Sequence, residues 1–175
     1  MTQPQPSLPQ LTLVIGGAAS GKSAYAERLL TDTARPLLYI ATGQAHDDEM
    51  RAKIVTHQAR RGLGWRTIEA PLDVPAALAQ ARPDEAVLLD CATFWLTNHL
   101  FADSALADEE PRLIAALRSC PAPVVVVSNE VGAGIIPENA LARQFRAAQG
   151  ALNQRLAEAA DRVITVIAGL PLVLK

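Results

Sequence analysis

Residues 16–23, GGAASGKS, fit the pattern G-x-x-x-x-G-K-[ST] and fall between an apolar run and a helix-patterned segment. Such a loop holds phosphate. Gly16, Gly17 and Gly21 let the backbone approach phosphate oxygens, while successive N–H groups through Ala18, Ala19 and Ser20 supply donors at the start of a helix. Lys22 adds a point charge, and Ser23 places a hydroxyl within reach of Mg²⁺. A glycine-rich turn matching by accident is the bland alternative, and the strand and helix context argues against it.

Two further acids stand at the ends of apolar runs. Asp90 closes AVLLD at the carboxyl end of an expected strand, the edge where open α/β sheets place their ligands. There it can hold Mg²⁺, directly or through water, or bond a nucleotide; its ordinary alternative is to cap the following helix. Glu130, at the end of VVVVSNE, poses the same choice.

His57, in IVTHQARRG, needs a separate account. Met50, Ile54, His57 and Arg61 share one stripe of an expected helix, with Arg60 beside it. Two neighbouring guanidiniums disfavour the imidazolium, so the neutral, nucleophilic form is favoured at pH 7, and the same arginines attract phosphate oxygens. A helical histidine is nevertheless more often a polar surface residue, so spacing alone leaves both readings open. His99 reads as an ordinary polar residue, and so does His46, although three acids beside it can catch a metal adventitiously.

The elements that position these residues follow from the apolar pattern. Strand-length runs alternate with longer helix-patterned segments, which predicts βα units around a largely parallel sheet. Strands are expected at 11–17, 36–43, 65–70, 86–91 and 123–130, the third as a short edge strand. One or two more are expected after residue 161, with a turn at 169–171. Helices are expected from near Gly21, over 47–61, from a cap at Asp73 to near Ala81, and as a pair between Thr93 and Ser119 with a turn around Asp103. A long helix carries Leu141, Phe145, Ala148, Leu152 and Leu156 on one stripe.

Length and composition fit that scheme. The chain has 175 residues, half of them hydrophobic and few aromatic, which suits one α/β domain over 11–175 behind a loose tail at 1–10. A net charge of −2 gives no bulk attraction to nucleic acid or anionic lipid, so phosphate must be bound locally. Cys91 and Cys120 form no CxxC pair, a cytoplasmic setting is expected, and the sequence shows neither a signal peptide nor a membrane span.

Six ordered blocks resemble one known family, the bifunctional cobinamide kinases and cobinamide-phosphate guanylyltransferases of cobalamin assembly. They are GGAASGKSAYAE, YIATGQAHDDEM, KIVTHQARRGLGWRTIE, LLDCATFWLTN, VVVSNEVGAGIIPE and LARQFRAAQGALNQRLA. The resemblance implies a RecA-like P-loop fold assembled as a homotrimer. It also implies two reactions: phosphorylation of adenosylcobinamide by ATP or GTP, then transfer of GMP from GTP to the product. His57 would carry the guanylyl group, and nucleotide contacts would fall at Ala41, Thr42, Gly43, Gln58, Ala59, Arg60, Arg61, Glu69 and Asp90. The sequence departs from the family's usual pattern at Ala19, Gly62 and Ala147. A P-loop kinase of another small alcohol, with a structural His57, is the competing reading. A nucleotide-gated switch is a third, and it lacks the N-K-x-D run common in guanine-binding switches.

Overall fold

Buried side chains alternate along the strands and sort the core into two layers. In the computed structural model, which describes residues 8–44 and 64–175, seven strands form one sheet. They are β1 (Leu11–Gly16), β2 (Leu37–Ala41), β3 (Trp65–Glu69), β4 (Ala86–Asp90), β5 (Val124–Asn129), β6 (Arg162–Ile167) and β7 (Leu170–Val173). Their order is β3-β2-β4-β5-β1-β6-β7, and every pairing is parallel except the β6–β7 hairpin.

Leu11, Leu13, Leu38, Ile40, Val87, Leu89, Val124 and Val126 face one layer. It is filled by α2 (Val74–Leu78), α3 (Ala92–Phe101), α4 (Leu106–Ser119) and α5 (Ala140–Ala159). The intervening residues Val14, Leu37, Tyr39, Leu88, Val125 and Val127 face the other, where α1 (Lys22–Thr31) contributes Ala26 and Leu30. Burial on both faces explains why the strands read as continuous apolar runs.

Most expected elements are present with ends trimmed by one or two residues. Asp73 caps α2 by accepting from the Ala76 N–H at 3.3 Å, and Asp103, at φ 52°, sits in the turn between α3 and α4. β3 is the edge strand expected. Leu8 packs against the α1 layer, and Gln10 donates to the carbonyls of Cys120 and Ala122. The expected helix over 47–61 lies outside the described residues.

Two expectations need correction. The terminal turn is Ala168–Gly169, both with positive φ, and Pro171 belongs to β7; a two-residue loop with left-handed residues matches the twist of the flanking strands. On α5, Leu152 and Leu156 are buried and Phe145 and Ala148 partly so, but Leu141 is 60% exposed. The stripe is buried only along the part of α5 that packs on the core.

The β3 edge is pinned by Glu85, at the base of β4. This fully buried carboxylate accepts from Arg66 Nε at 3.0 Å and Nη2 at 2.8 Å, and also from Arg82. The Arg66 hydrogen bond leads in drawing its pKa from 4.5 down to about 2. Because the folded value is the lower one, the stabilisation is complete above about pH 4.5 and is lost as pH falls toward 2. Glu85→Gln is expected to cost about 2 kcal/mol at pH 7, less than a fully buried pair would because both guanidiniums keep contact with water. Melting curves should show the gap from wild type narrowing between pH 4.5 and 2.

Candidate nucleotide site at the carboxyl edge of the sheet

The phosphate loop leaves β1 at Gly16, and its tightness dictates its residues. A Cβ on Gly16 would lie 2.6 Å from both the Ser20 hydroxyl oxygen and the Val166 carbonyl oxygen, so only glycine fits. Gly21 caps α1 at φ 91°, a conformation that favours glycine, and a Cβ there would meet Gly169 at 3.1 Å. Ala19 also lies in the left-handed region, at φ 56°. The β6–β7 turn supports the loop from the side, with the Gly169 N–H donating to the Ser20 carbonyl at 2.8 Å.

Lys22 is buried, and its Nζ donates to the Gly17 carbonyl at 3.0 Å. Burial lowers its pKa, and the negative charge of Asp90 opposes that shift. A cation held at the loop against its own desolvation gains most when an anion arrives. Asp90 ends β4 on the α1 side of the sheet, continuing the alternation of Ala86 and Leu88, and accepts from the Tyr39 hydroxyl at 3.3 Å. Ser23 occupies the first turn of α1, half-buried. The loop, Lys22, Ser23 and Asp90 thus share one end and one face of the sheet.

The next expected residues form the rim. Ala41, at the end of β2, lies level with both Glu69 of β3 and Asp90 of β4; Glu69 is exposed there. Thr42 is buried, and all its polar groups are committed within the fold. Its hydroxyl donates to the Cys91 carbonyl at 2.7 Å and accepts from the Cys91 N–H at 2.8 Å. Its N–H meets the Asp90 carbonyl, and its own carbonyl accepts from Asn98. Gly43 follows, where a Cβ would be 3.7 Å from the Phe94 ring. Thr42 therefore ties the ends of β2 and β4 together. His57, Gln58, Ala59, Arg60, Arg61 and His46 lie outside the described residues.

Cys91, His99 and Glu130 make their contacts within the fold. Cys91 is buried, and desolvation, aided by Asp90, pushes its thiol up to about 12, so it is no nucleophile at neutral pH. His99 is buried against Trp95, with Nε2 3.3 Å from the Leu72 carbonyl. Glu130 is exposed; its N–H donates to the Gly16 carbonyl and its carboxylate accepts from the Gly132 N–H. Beneath it lies a polar network that the strand pattern did not suggest, formed by Thr93, Ser128, Gln149 and Asn153. The signal for it was present in the sequence as Gln149 and Asn153, one helical turn apart on the otherwise apolar face of α5.

Residues 12–174 match the family described as cobinamide kinase / cobinamide phosphate guanyltransferase. The chain belongs to this family. It is 47% identical to the bifunctional adenosylcobalamin biosynthesis protein CobU of Salmonella typhimurium over 94% of its length and 99% of that protein's. It is 43% identical to the bifunctional adenosylcobalamin biosynthesis protein CobP of Pseudomonas aeruginosa, over 93% and 96%. CobU of Escherichia coli is 44% identical over 94% and 99%. Among solved structures, the RadB recombinase superposes with a TM-score of 0.54 at 20% identity, over 90% of this chain and 74% of that one. That likeness establishes the RecA-like fold. Family membership accounts for a phosphate loop, a strand-end acid and the IVTHQARRG block occurring in one chain, which the reading as an unrelated small-alcohol kinase left unconnected.

Proposed function

We propose that this enzyme phosphorylates the aminopropanol hydroxyl of adenosylcobinamide with a nucleoside triphosphate and then transfers GMP from GTP to that phosphate, releasing pyrophosphate. The observation that carries the reading is the phosphate cradle, with buried Lys22 beside Asp90, in a chain whose residues 12–174 match the kinase and guanylyltransferase family. In the first reaction the corrinoid hydroxyl attacks the terminal phosphorus and the nucleoside diphosphate leaves. Lys22 and the loop N–H groups hold the phosphates and offset the charge that moves onto the leaving oxygens.

In the second reaction His57 attacks the α-phosphorus of GTP, forming a P–N bond as the bond to pyrophosphate breaks. The corrinoid phosphate oxygen then attacks the same phosphorus, and His57 is released. Arg60 and Arg61 supply positive charge for the phosphate oxygens in this reading. Gln58, Ala59, Ala41, Thr42, Gly43 and Glu69 complete the nucleotide contacts in this reading. GTP serves the guanylyl step, and ATP or GTP the kinase step. Incubation with α-labelled and, separately, γ-labelled GTP without corrinoid tests the scheme. The α-label should stay on the protein and the γ-label should not.

Ser23 and Asp90 supply a hydroxyl and a carboxylate at the loop, hard oxygen donors that suit Mg²⁺ with waters completing its shell. When bound with the nucleotide, Mg²⁺ would screen the phosphate charges. Among the described residues no helix is long and apolar enough to cross a membrane, and we place the reaction in the cytoplasm with small-molecule partners and no nucleic acid. The assembly we propose is a homotrimer. Light scattering at micromolar concentration should give three times the 18.6 kDa chain mass, and a monomer mass would rule it out.

A further inference from the structure

The end of β5 is held from behind more firmly than a sheet requires. Asn129, its last residue, has its N–H bonded to the Thr93 hydroxyl at 2.9 Å, while its carbonyl accepts from Asn153 Nδ2 at 3.0 Å. Asn153 is itself fixed: its Oδ1 accepts from the Ser128 hydroxyl at 2.6 Å and from Gln149 Nε2 at 3.0 Å, and Gln149 also donates to Ser128. All four supporting side chains are buried. Polar groups are costly inside a core unless bonded, and once bonded they fix one geometry. Here the geometry fixed is the backbone of Asn129.

That backbone aims a side chain at the phosphate cradle. β5 lies between β4 and β1, so its carboxyl end stands between Asp90 and the loop. Asn129 is level with Gly16, and Asp90 is level with Val127, two residues earlier on β5. Side chains alternate across a strand. Val125 and Val127 face the α1 layer, as Val14 and Leu88 do, so Asn129, Gly16 and Asp90 continue onto that same face. Ser128 points the other way, to Asn153. The Asn129 carboxamide makes no hydrogen bond to any described residue, although both its backbone groups are bonded.

We propose that Asn129 is a phosphate-contacting residue of this site, donating its side-chain N–H to the terminal phosphoryl group of the bound triphosphate. Thr93 and Asn153 act through it as positioning residues. The assignment rests on the functional reading above for the identity of the nucleotide. In this assignment the amide supplies a neutral donor from the strand end that lies between the phosphate loop and Asp90, and GDP has no terminal phosphoryl group to receive it.

The test is equilibrium binding of fluorescent analogues of GTP, with a methylene α,β bridge that cannot be cleaved, and of GDP, without corrinoid, to wild type, Asn129→Ala and Asn129→Asp. Truncation leaves both backbone bonds intact. GTP affinity should fall at least about tenfold in Asn129→Ala, the usual scale for one hydrogen bond to a charged group, while GDP affinity stays within about twofold. Asn129→Asp keeps the size but turns a donor into an anion facing phosphate, so it should bind GTP more weakly than the alanine variant. A residue that merely supported the strand would show the reverse order, with aspartate rescuing. That order, or an unchanged ratio of GTP to GDP affinity, overturns the proposal. Because no corrinoid is present, failure of wild type to modify cobinamide would remove the functional reading and leave this binding comparison standing.

Discussion

His57→Asn should abolish both the protein-bound label from α-labelled GTP and guanylyl transfer, while leaving nucleotide binding in place. The proposed intermediate joins a ring nitrogen to the α-phosphorus, a phosphoramidate that acid hydrolyses readily and alkali largely spares. In wild type the label should therefore be acid-labile and base-stable, and cobinamide phosphate should discharge it. Asparagine keeps much of the volume and one hydrogen-bonding edge but has no comparable lone pair, so the guanylyl step should fall on the order of a thousandfold or more. Phosphorylation of cobinamide, which does not pass through the imidazole, should continue. A variant that still labels at full stoichiometry would move the nucleophile to another residue. It would also return His57 to a structural role.

Lys22→Ala should impair both reactions, because in the proposed scheme both draw on one phosphate cradle. Loss of a single preorganised positive donor commonly costs on the order of a hundredfold to a thousandfold in turnover. The structure adds a second, opposite expectation for stability. Lys22 is buried, its pKa is lowered by desolvation, and its Nζ rests on a loop carbonyl. Removing a cation held under those conditions should leave the melting temperature of the nucleotide-free protein unchanged or slightly raised. Nucleotide should then stabilise the variant far less than wild type, since binding to the folded state is what raises the melting temperature. Full retention of one activity at saturating GTP, with the other lost, would show that the loop serves only one of the two reactions. A large fall in the stability of the nucleotide-free variant would mean that Lys22 holds the loop together rather than the ligand.

Much of this architecture is written locally in the chain. The phosphate loop is a contiguous run whose glycines, lysine and serine each have a reason visible at their own position, and Gly16 and Gly21 meet those reasons in the folded loop. The valines of β5, the cap at Asp73 and the turn at Asp103 are equally local, since propensity, capping and alternation act over a few residues. Even the edge position of β3 could be expected from its short, mixed run. The six blocks, read together, point to the family, because ordered motifs over a whole chain are far more specific than one loop.

What the tertiary structure decided depends on sheet order, which no local pattern encodes. Asp90 and Lys22 are 68 positions apart in the chain, and they meet because β4 and β1 flank β5 at the same carboxyl edge. The Thr42 hydroxyl bridges β2 to the residue after β4, a partnership set by strands pairing across 49 positions. The turn at Ala168–Gly169 became a support for the phosphate loop only when β6 came to lie beside β1. The significance of Asn129 comes from Thr93 and Asn153, brought from two different helices to clamp one strand end. Hydrogen bonds between distant segments have no periodicity to read, so they become visible only once the apolar layers have fixed which strand ends are neighbours.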